Sequence, residues 1–547
     1  MGICRQFTIG VKEEGNAAAT NPLFPALASL FPVQFRPWTN GECRGLDALI
    51  LSGQDPGGLR GLAPPGLPVF AAPAPSPSLS STRTDGFFLE QSPTLTASLR
   101  NHHFEEQEFI PSAALPALDG DDVLASQDGR PIWLRRCVEG ADVTMVTWPL
   151  PYLGPDDHIY ESFQTGRFLR LLSLLQFLRN LTCHADWQSP PTPACLLVDD
   201  PNLHSTVYGH LDFRRLAIET RAQHFYVSVA TIPLDCWWLD RRATDLFREN
   251  APRISIVVHG NNHTSEELAR PASESENLSL LAQALRRCRR LAQLKPGIEV
   301  CRLMECPHGS LSVAMLEPMA RLGYEAVFAS TAHLLRCNRD TSFRASLGAE
   351  RTLLGIKAVP IIPRIRSIAG WQDEVRLAAF LKRPIIFAVH HWDFADQNHL
   401  AAEFARIVNS LPETTWASPT GIARACYQFR EVGEVLHVRL NSRLVDVPIA
   451  QPMQYVVIHR PWLEENGDPE LLEVWTLETQ LFRAISSADV VGPIPLHGST
   501  ALQVSSSLLN RVDCNSVPPP RFRCWPLVRK LMVEVRDRSR VPVHLRK

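Results

Sequence analysis

The sequence lacks the features that mark several large classes of protein. Its 13 cysteines include no CxxC pair, and the group of Cys301, Cys306 and His308 fits no ordinary zinc-binding spacing. Scattered cysteines of this kind are typical of free thiols in a reducing compartment. No apolar stretch follows Met1, so no secretory signal is expected. We therefore expect a cytoplasmic protein.

Long hydrophobic runs and a strong excess of one charge are also missing. The longest apolar patch, Leu171 to Leu178, is interrupted by Ser173 and Gln176 and is too short to span a membrane. A formal net charge of -2 argues against nucleic acid as the main partner. At 547 residues the chain is too long for one hydrophobic core, so two to four domains are expected.

Two apolar, β-branched runs end in side chains that bind metals. Residues 194–198 predict a buried strand, and Asp199 and Asp200 follow it. Residues 254–258 predict a second strand, which is followed by His259 and, four residues later, by His263. Neither carboxylate is expected to be buried without a partner. One aspartate and two histidines suffice for a catalytic zinc with one position open for water, which leaves the other aspartate free to act as a base.

The segment after His263 predicts how that histidine is held. Thr264 and Glu267 form a Thr-x-x-Glu pattern, which predicts a capping box at the start of a helix. His263 is then expected at the junction of strand and helix. A lone histidine in an apolar context is more often a core residue. Two of them after a strand, in a chain that also has paired aspartates after a strand, favour a metal site.

Two later segments offer further catalytic groups. His390 and His391 end a third apolar run, and a histidine near a zinc-bound water is suited to be a general acid because its ordinary pKa is close to neutrality. We expect His390 in that role, with His391 as the other candidate. The Pro-His-Gly loop at 307–309 lies between a predicted strand and a predicted helix. Such a loop can offer backbone N–H groups to a developing oxyanion.

Strands and helices alternate between residue 194 and about residue 425. Repeated βα units predict a parallel sheet, and seven or eight of them predict a closed or nearly closed barrel. The active site of such a barrel lies at the C-terminal ends of its strands, where both metal-type motifs fall. The predicted strands are 194–200, 224–232, 253–259, 297–304, 324–330, 355–362, 384–391 and 414–417.

The whole chain is expected to be an α/β protein in four parts. The N-terminal α/β part should hold strands at 46–53 and 67–72, a hairpin that turns at Asp128-Gly129, and a docking helix within 163–181. The last part alternates apolar and polar residues and ends in a basic amphipathic segment, which predicts a small β-sandwich with a terminal helix. The parts are a disordered or loosely attached start over 1–20, an α/β accessory domain over 21–190, the barrel over 191–425, and the β-rich domain over 426–547.

Four short motifs occur in the order found in one known family. Asp199-Asp200 followed by Pro201 resembles the T-F-D-D-G-P motif of the polysaccharide deacetylase (NodB-homology) family. The segment His259 to His263 resembles its second motif, H-[ST]-x-x-H, with glycine where serine or threonine is usual. The segment Pro307-His308-Gly309 resembles the third motif. His390 with Trp392 resembles the late histidine motif.

This resemblance implies a distorted (β/α) barrel and a deacetylase that depends on Zn²⁺ or another divalent metal. It implies that Asp199 is the base and His390 the acid, and that Asp200, His259 and His263 bind the metal. The implied substrate is an N- or O-acetylated saccharide or a related small molecule. Substrate-contacting residues would be the loop residues Pro307, His308 and Gly309 and the tryptophans Trp237 and Trp392.

The departures from the family pattern leave other interpretations open. The arginine of motif three, which in the family normally helps orient the base, is replaced here, with Glu305 and Cys306 in its neighbourhood. The missing arginine motivates a catalytically inactive barrel that serves as a binding module. Gly260 favours instead a metal-dependent hydrolase of another non-peptide C–N bond. Trp237 and Trp238 follow a strand end and could stack on a sugar or pack internally.

A weaker resemblance concerns the N-terminal part. Its two strands and hairpin resemble the class I glutamine amidotransferase-like fold. No nucleophile elbow surrounds Cys43 or Cys137, and no catalytic histidine pairs with either of them. The expected role of this part is therefore that of a lid or a partner-binding domain.

Overall fold

Short apolar runs form the strands of two separate α/β units in the computed structural model. One unit comprises 1–187, 341–350 and 369–381, and the other comprises 188–340, 351–368 and 382–547. The structure describes residues 6–12, 21–39, 43–53, 65–74, 81–82, 86–106, 110–111, 114–163, 167–184, 187–270, 272–353, 359–395, 399–463, 467–476 and 479–539.

The first unit is built on a nine-stranded mixed sheet in the order β2-β1-β3-β4-β11-β10-β9-β6-β7. The strands from β2 to β11 in this order are parallel, and the remaining pairs are antiparallel. The strands of this unit are β1 Phe7–Lys12, β2 Val33–Pro37, β3 Ala48–Ser52, β4 Val69–Ala72, β5 Ser81–Thr82, β6 Phe87–Leu89, β7 His102–Phe104, β8 Ile110–Pro111, β9 Asp122–Gln127, β10 Arg130–Val138 and β11 Ala141–Val146.

Most of the elements predicted for this part are present. The strands predicted at 46–53 and 67–72 are β3 and β4, and the hairpin at Asp128-Gly129 joins β9 to β10. The docking helix predicted within 163–181 is α2, Leu169–Thr182, whose leucines are buried in the core of the unit. The likeness to an amidotransferase fold stays a prediction.

The prediction of a loosely attached start over 1–20 is wrong for six of its residues. Phe7 to Lys12 form β1, which pairs with both β2 and β3 and is therefore an interior strand of the sheet. Phe7, Ile9 and Val11 are buried. Their alternation is the signal of a strand. The rest of 1–20 lies outside the described residues, apart from Gln6.

The second unit contains a nearly closed, parallel, barrel-like sheet of eight strands in the order β19-β18-β17-β16-β15-β12-β21-β20. The two edge strands, β19 and β20, follow each other in the chain with only Arg364 between them. A ninth strand, β22, pairs with β12. The barrel strands are β12 Thr192–Asp199, β15 Val227–Thr231, β16 Ile254–His259, β17 Val300–Glu305, β18 Ala326–Ala329, β19 Ile361–Pro363, β20 Ile365–Arg366, β21 Ile385–His390 and β22 Thr414–Trp416.

Each of the eight strands predicted between 194 and 425 has a counterpart in this sheet, although most are shorter than predicted. Only part of the prediction at 355–362 can be compared, because 354–358 lie outside the described residues. β20 was not predicted. With two residues, Ile365 and Arg366, it is too short for its apolar pattern to show in the sequence.

Helices connect the barrel strands, and side chains cap several of them. Asp212 caps α3, Asp240 caps α4 and Ser273 caps α5, each by accepting a backbone N–H of the first turn. A short hairpin, β13 Val207–Tyr208 and β14 Leu211–Asp212, precedes α3. The helices of the second unit are α3 Phe213–Ala222, α4 Arg241–Glu249, α5 Glu274–Leu294, α6 Leu316–Arg321, α7 Thr331–Cys337, α9 His399–Ser410 and α10 Pro419–Arg424, while α1 Leu23–Leu30 and α8 Trp371–Phe380 belong to the first unit with α2.

Two four-stranded sheets follow the barrel in the second unit, in the orders β23-β24-β26-β29 and β25-β30-β27-β28. Their inward side chains, among them Val438, Ile458 and Val504, form one shared core. Trp525–Ser539, called here the C-terminal helix, ends the described chain. The strands are β23 Tyr427–Val432, β24 Val435–Leu440, β25 Leu444–Pro448, β26 Tyr455–His459, β27 Glu470–Trp475, β28 Gln480–Ser486, β29 Val490–Pro495 and β30 Ala501–Leu508.

Within the described ranges, none of the helices combines the length and the apolar character that a bilayer span requires.

Candidate metal centre and active site

Asp200, His259 and His263 lie together at the C-terminal edge of the barrel sheet. Asp200 Oδ1 is 3.4 Å from His259 Nε2 and 3.2 Å from His263 Nε2, and the ligand atoms of the three residues lie within 4.8 Å of one another. Asp200 directly follows β12 with a left-handed backbone (φ 80°). Such conformations are costly for a non-glycine residue and concentrate at functional sites.

The chemistry of these three side chains fits a divalent metal. His259 Nδ1 lies 3.2 Å from the backbone carbonyl of Glu305, which can only accept a hydrogen bond. Nδ1 therefore carries the proton and Nε2 presents its lone pair towards Asp200, the tautomer that a metal-binding histidine needs. Burial lowers the pKa of His263 to about 3, so this imidazole is neutral. Two imidazoles and a carboxylate are ligands that zinc accepts.

The carboxylate of Asp200 keeps its charge despite being enclosed. Burial opposes its ionisation, but the neighbouring imidazoles of His259, His263 and His390 lower its pKa far below the ordinary range. His259 shows the opposite balance, because burial lowers its pKa but the carboxylates of Asp200 and Asp199 together raise it above the ordinary value. The side chains are thus arranged to hold positive charge beside Asp200.

The loop that carries His263 is held by Glu267, and the capping box predicted there is wrong. Glu267 Oε1 accepts the backbone N–H groups of Asn261, Asn262 and His263 at 2.6, 3.0 and 2.9 Å. The predicted helix does not begin at Thr264, because the Glu267 carboxylate is used to close the loop. The next helix, α5, begins ten residues after Thr264 and has its own capping box, formed by Ser273 with Glu276.

The local structure explains why residue 260 is a glycine and not the serine or threonine of the family pattern. Its backbone is left-handed (φ 60°), and a Cβ there would lie 2.3 Å from Glu267 Oε1 and 2.6 Å from Pro307 Cγ. Both contacts are far closer than real Cβ atoms allow. The space that a serine side chain would need is occupied by the carboxylate that closes the loop.

We expect Gly260→Ser to destabilise the protein by roughly 1 to 3 kcal/mol beyond its backbone strain, because it overpacks this loop. The urea midpoint measures this loss. Gly433→Ser is the matched control, since Gly433 has nearly the same φ (59°) and nothing within 4 Å of a built Cβ. Equal midpoints for the two variants would show that Glu267 and Pro307 do not crowd position 260.

Arg364, which lies between the edge strands β19 and β20, contacts Asp199, the candidate base. Its Nη1 donates to Asp199 Oδ2 at 2.7 Å and also to Glu305 Oε1. All three side chains are at most 6 % exposed. The resemblance leads one to expect an arginine in motif three, where this chain has Glu305. Here the cation beside Asp199 is Arg364, which lies between β19 and β20 and not in the motif-three segment.

One cation therefore serves two buried carboxylates. Burial raises the pKa of Glu305 well above its usual range, although Arg364 opposes the shift. Burial also opposes the charge on Arg364, but Glu305 and Asp199 outweigh it and raise the pKa of the guanidinium. Asp199, His259 and Glu305 also lie close enough to share an ion. The guanidinium beside two of them makes a second cation there unfavourable.

His390 and His391 occupy different environments. His390 is paired in register with Asp199 in the neighbouring strand, so the two side chains point to the same face of the sheet. Its ring stacks on Trp392 at 4.7 Å. His391 is buried and not a surface residue, with its ring 5.3 Å from Tyr208, in the β13–β14 hairpin. Of the two histidines, His390 is the one that lies on the face of Asp199.

The Pro307–Gly309 loop lies beside the metal centre, and the His308 ring is 5.1 Å from that of His263. Pro307 has no N–H, and Gly309 donates its own to the Cys306 carbonyl at 2.7 Å. His308, with a left-handed backbone (φ 57°), is then the residue of this loop whose N–H remains for an oxyanion.

Three tryptophans follow the strands on either side of β12. Trp237 is 70 % exposed, Trp238 47 % and Trp392 50 %, so none of them is packed inside the barrel. Trp237 and Trp238 contact the ring of the buried His204 at centroid distances of 5.6 and 5.2 Å. Their exposed faces are accessible to a ligand, and a role in substrate binding stays a prediction.

Sequence reasoning missed Arg364 and the role of Glu267. Arg364 has a signal in hindsight, because Pro363-Arg364-Ile365-Arg366 follows an apolar run in which a barrel strand was predicted. Glu267 was assigned to a helix cap. No local pattern distinguishes a carboxylate that caps a helix from one that binds the N–H groups of the preceding loop.

Known proteins resemble this chain only distantly. No protein-family model and no curated protein matches it. Among solved structures, a Mycobacterium smegmatis protein provisionally described as a polysaccharide deacetylase has a TM-score of 0.31 and 12 % identity, over 43 % of this chain and 93 % of that one. The family 4 carbohydrate esterase from Streptomyces lividans, in complex with acetate, has a TM-score of 0.23 and 13 % identity, over 42 % and 91 %.

A third structure of this group is described as a pseudoenzyme. It is a CE4 family protein from Bacillus anthracis, with a TM-score of 0.24 and 10 % identity, over 44 % of this chain and 68 % of that one. Likeness at this level assigns neither a family nor an activity to the chain.

Proposed function

We propose that this chain is a metal-dependent hydrolase that removes an acetyl group from an N- or O-acetylated saccharide or a related small molecule. The proposal rests on one observation. The ligand atoms of Asp200, His259 and His263 lie close together at the barrel edge. Asp199, which precedes Asp200 in the sequence, is held there by a hydrogen bond from Arg364. A carboxylate and two imidazoles with an open position, beside a second carboxylate, are the parts that metal-assisted hydrolysis needs.

Asp199 is suited to take a proton from the attacking water. Its Oδ2 accepts the hydrogen bond from Arg364, whereas its Oδ1 is buried and accepts none from the described residues. A buried carboxylate oxygen without a donor is costly, so a water molecule at this position would satisfy it. Arg364 would fix the carboxylate through Oδ2 and leave Oδ1 to accept from the attacking water.

Activation of the water, protonation of the leaving group and stabilisation of the oxyanion would each fall to a different group of the site. A divalent metal held by Asp200, His259 and His263 would lower the pKa of a water molecule and polarise the acetyl carbonyl. His390, on the same face as Asp199, would donate a proton to the leaving nitrogen or oxygen. The backbone N–H of His308 would donate a hydrogen bond to the oxyanion.

The exposed tryptophans support a saccharide as the substrate. The exposed rings of Trp237 and Trp238 follow β15, and that of Trp392 follows β21. These two strands lie on either side of β12, the strand that ends in Asp199. Aromatic rings offer a large, rigid apolar face at low entropic cost. The apolar face of a pyranose ring matches such a surface.

We expect His263→Ala to lose metal and acetate release together, because it removes one of three protein ligands. Acetate released from acetylated oligosaccharides and metal content by elemental analysis are the measurements. His497→Ala, at an exposed histidine outside the barrel, is the control and should keep both. Full acetate release by His263→Ala would contradict the assigned site.

The competing interpretations make different predictions. An inactive binding barrel was suggested by the missing motif-three arginine, but Arg364 now lies beside Asp199. The hydrolysis of another C–N bond was favoured by Gly260, which the packing of Glu267 and Pro307 explains instead. Cleavage of cyclic amides with no release of acetate from any acetylated sugar would favour the second interpretation over ours.

A further inference from the structure

The C-terminal helix, Trp525–Ser539, places its charged side against the barrel. Lys530 Nζ lies 2.5 Å from Asp235 Oδ2, and these side chains are only 11 % and 0 % exposed. Glu534 Oε1 lies 2.9 Å from Nδ1 of the buried His204. Arg529 donates to the backbone carbonyl of His263. A buried ion pair fixes the rotation of the helix, because turning it would leave a buried charge unpaired.

The opposite side of the helix is apolar and exposed. Trp525, Val528, Met532 and Val535 recur at helical spacing with exposures of 61, 46, 62 and 70 %, and Leu531 lies between them at 63 %. Single exposed apolar side chains are ordinary on protein surfaces. A stripe of five along one face marks an interaction site. The usual amphipathic orientation, with the apolar side facing the protein, is reversed in this helix.

The charges near the stripe are positive. Arg521 and Arg523 are exposed just before the helix, on either side of the exposed Phe522. Glu534 is the only acidic residue among 521–535, and it is turned towards His204 on the opposite side. An apolar stripe bordered by arginines is complementary to a surface with an apolar interior and an anionic boundary.

We propose that the C-terminal helix binds an anionic lipid membrane, lying in the headgroup region with its apolar stripe in the acyl boundary. A second copy of the chain fits less well, because it offers no anionic boundary to Arg521 and Arg523: Glu534 is the only acidic residue among 521–535 and is turned towards His204. The bound membrane would lie next to the metal centre, since the same helix contacts His263. The proposal does not depend on the deacetylase function, because vesicle binding can be measured without catalysis.

Sedimentation of the full chain with lipid vesicles tests the proposal. We expect binding to phosphatidylcholine vesicles that contain phosphatidylserine, and binding at least about tenfold weaker to phosphatidylcholine alone. The variant with Leu531→Ser and Val535→Ser should bind at least about tenfold more weakly than the native chain, since it removes apolar area from the membrane. The control is Ile485→Ser, at an isoleucine 62 % exposed on a strand of the C-terminal sheets.

Three outcomes would overturn the proposal. These are no binding by the native chain, equal binding to both kinds of vesicle, and equal binding by the double variant. A dimer in light scattering that the double variant dissociates, without vesicle binding, would assign the stripe to a second copy. Hydrogen exchange of 525–535 in the native chain gives a reading that needs no variant. Protection should rise when phosphatidylserine vesicles are added, and unchanged protection would also contradict the proposal.

Discussion

Asp199→Asn is expected to lower kcat for acetate release by about 10²- to 10⁴-fold, because it removes the group that takes a proton in the transition state. The asparagine side chain keeps the size of the aspartate, and its oxygen can still accept from Arg364, so the fold should survive. Metal content should also be unchanged, because Asp199 is not among the three proposed ligands. Steady-state kinetics on the best acetylated substrate measure the effect.

Glu305→Gln is the matched control for this change. Glu305 shares Arg364 with Asp199, and the same substitution of an amide for a carboxyl group is made in both cases. Burial raises the pKa of Glu305, so the negative charge that the glutamine removes is already disfavoured at this position. We expect Glu305→Gln to keep most of the activity. Equal losses in both variants would contradict the assignment of the base to Asp199 alone.

Arg364→Met is expected to destabilise the protein by about 3 to 5 kcal/mol, because it leaves buried carboxylates without their cation. The urea midpoint should fall accordingly, and kcat should fall as well since Asp199 loses its positioning partner. Without Arg364, the pKa of Glu305 should rise further above its unfolded value. A group with a raised folded-state pKa contributes stability at low pH that is lost as the pH rises. The deficit of the variant should therefore shrink as the pH is lowered.

A double variant separates the structural role of Arg364 from its catalytic one. Arg364→Met with Glu305→Met removes a cation and a carboxyl group together, so much of the lost stability should return. Activity should stay low, because Asp199 still lacks its partner. Arg366→Met, at the exposed arginine two residues further on, is the control and should change neither property. Full activity in the double variant would show that Asp199 needs no arginine.

The barrel strands could be predicted because their signal is local. A run such as Ala194 to Val198 is apolar, β-branched and bounded by turns, and burial on both faces of a parallel sheet demands that pattern. That the candidate metal ligands lie together could be predicted for the same reason, since Asp200 and His259 stand at the ends of two such runs. That parallel strands end at one edge of the sheet is enough to bring them together.

The parts that could not be predicted depend on contacts between distant segments. Arg364 reaches Asp199 across 165 positions in sequence, and nothing local indicates which carboxylate it will meet. Glu267 turns back to its own loop and does not cap a helix, a choice decided by the space around Gly260. Residues 341–350 and 369–381 lie within the predicted barrel but belong to the N-terminal unit. Helical periodicity shows which face of a helix is apolar, but it does not show which unit that face packs in.

The central claim is that one divalent ion is held by two imidazoles and a carboxylate. X-ray absorption at the zinc edge of the zinc-loaded protein tests this most directly. The account predicts nitrogen and oxygen ligands at about 2.0 to 2.2 Å, with two imidazoles, and loss of this shell in His263→Ala. Absence of stoichiometric zinc, or sulfur ligands at about 2.3 Å from some of the 13 cysteines, would contradict it.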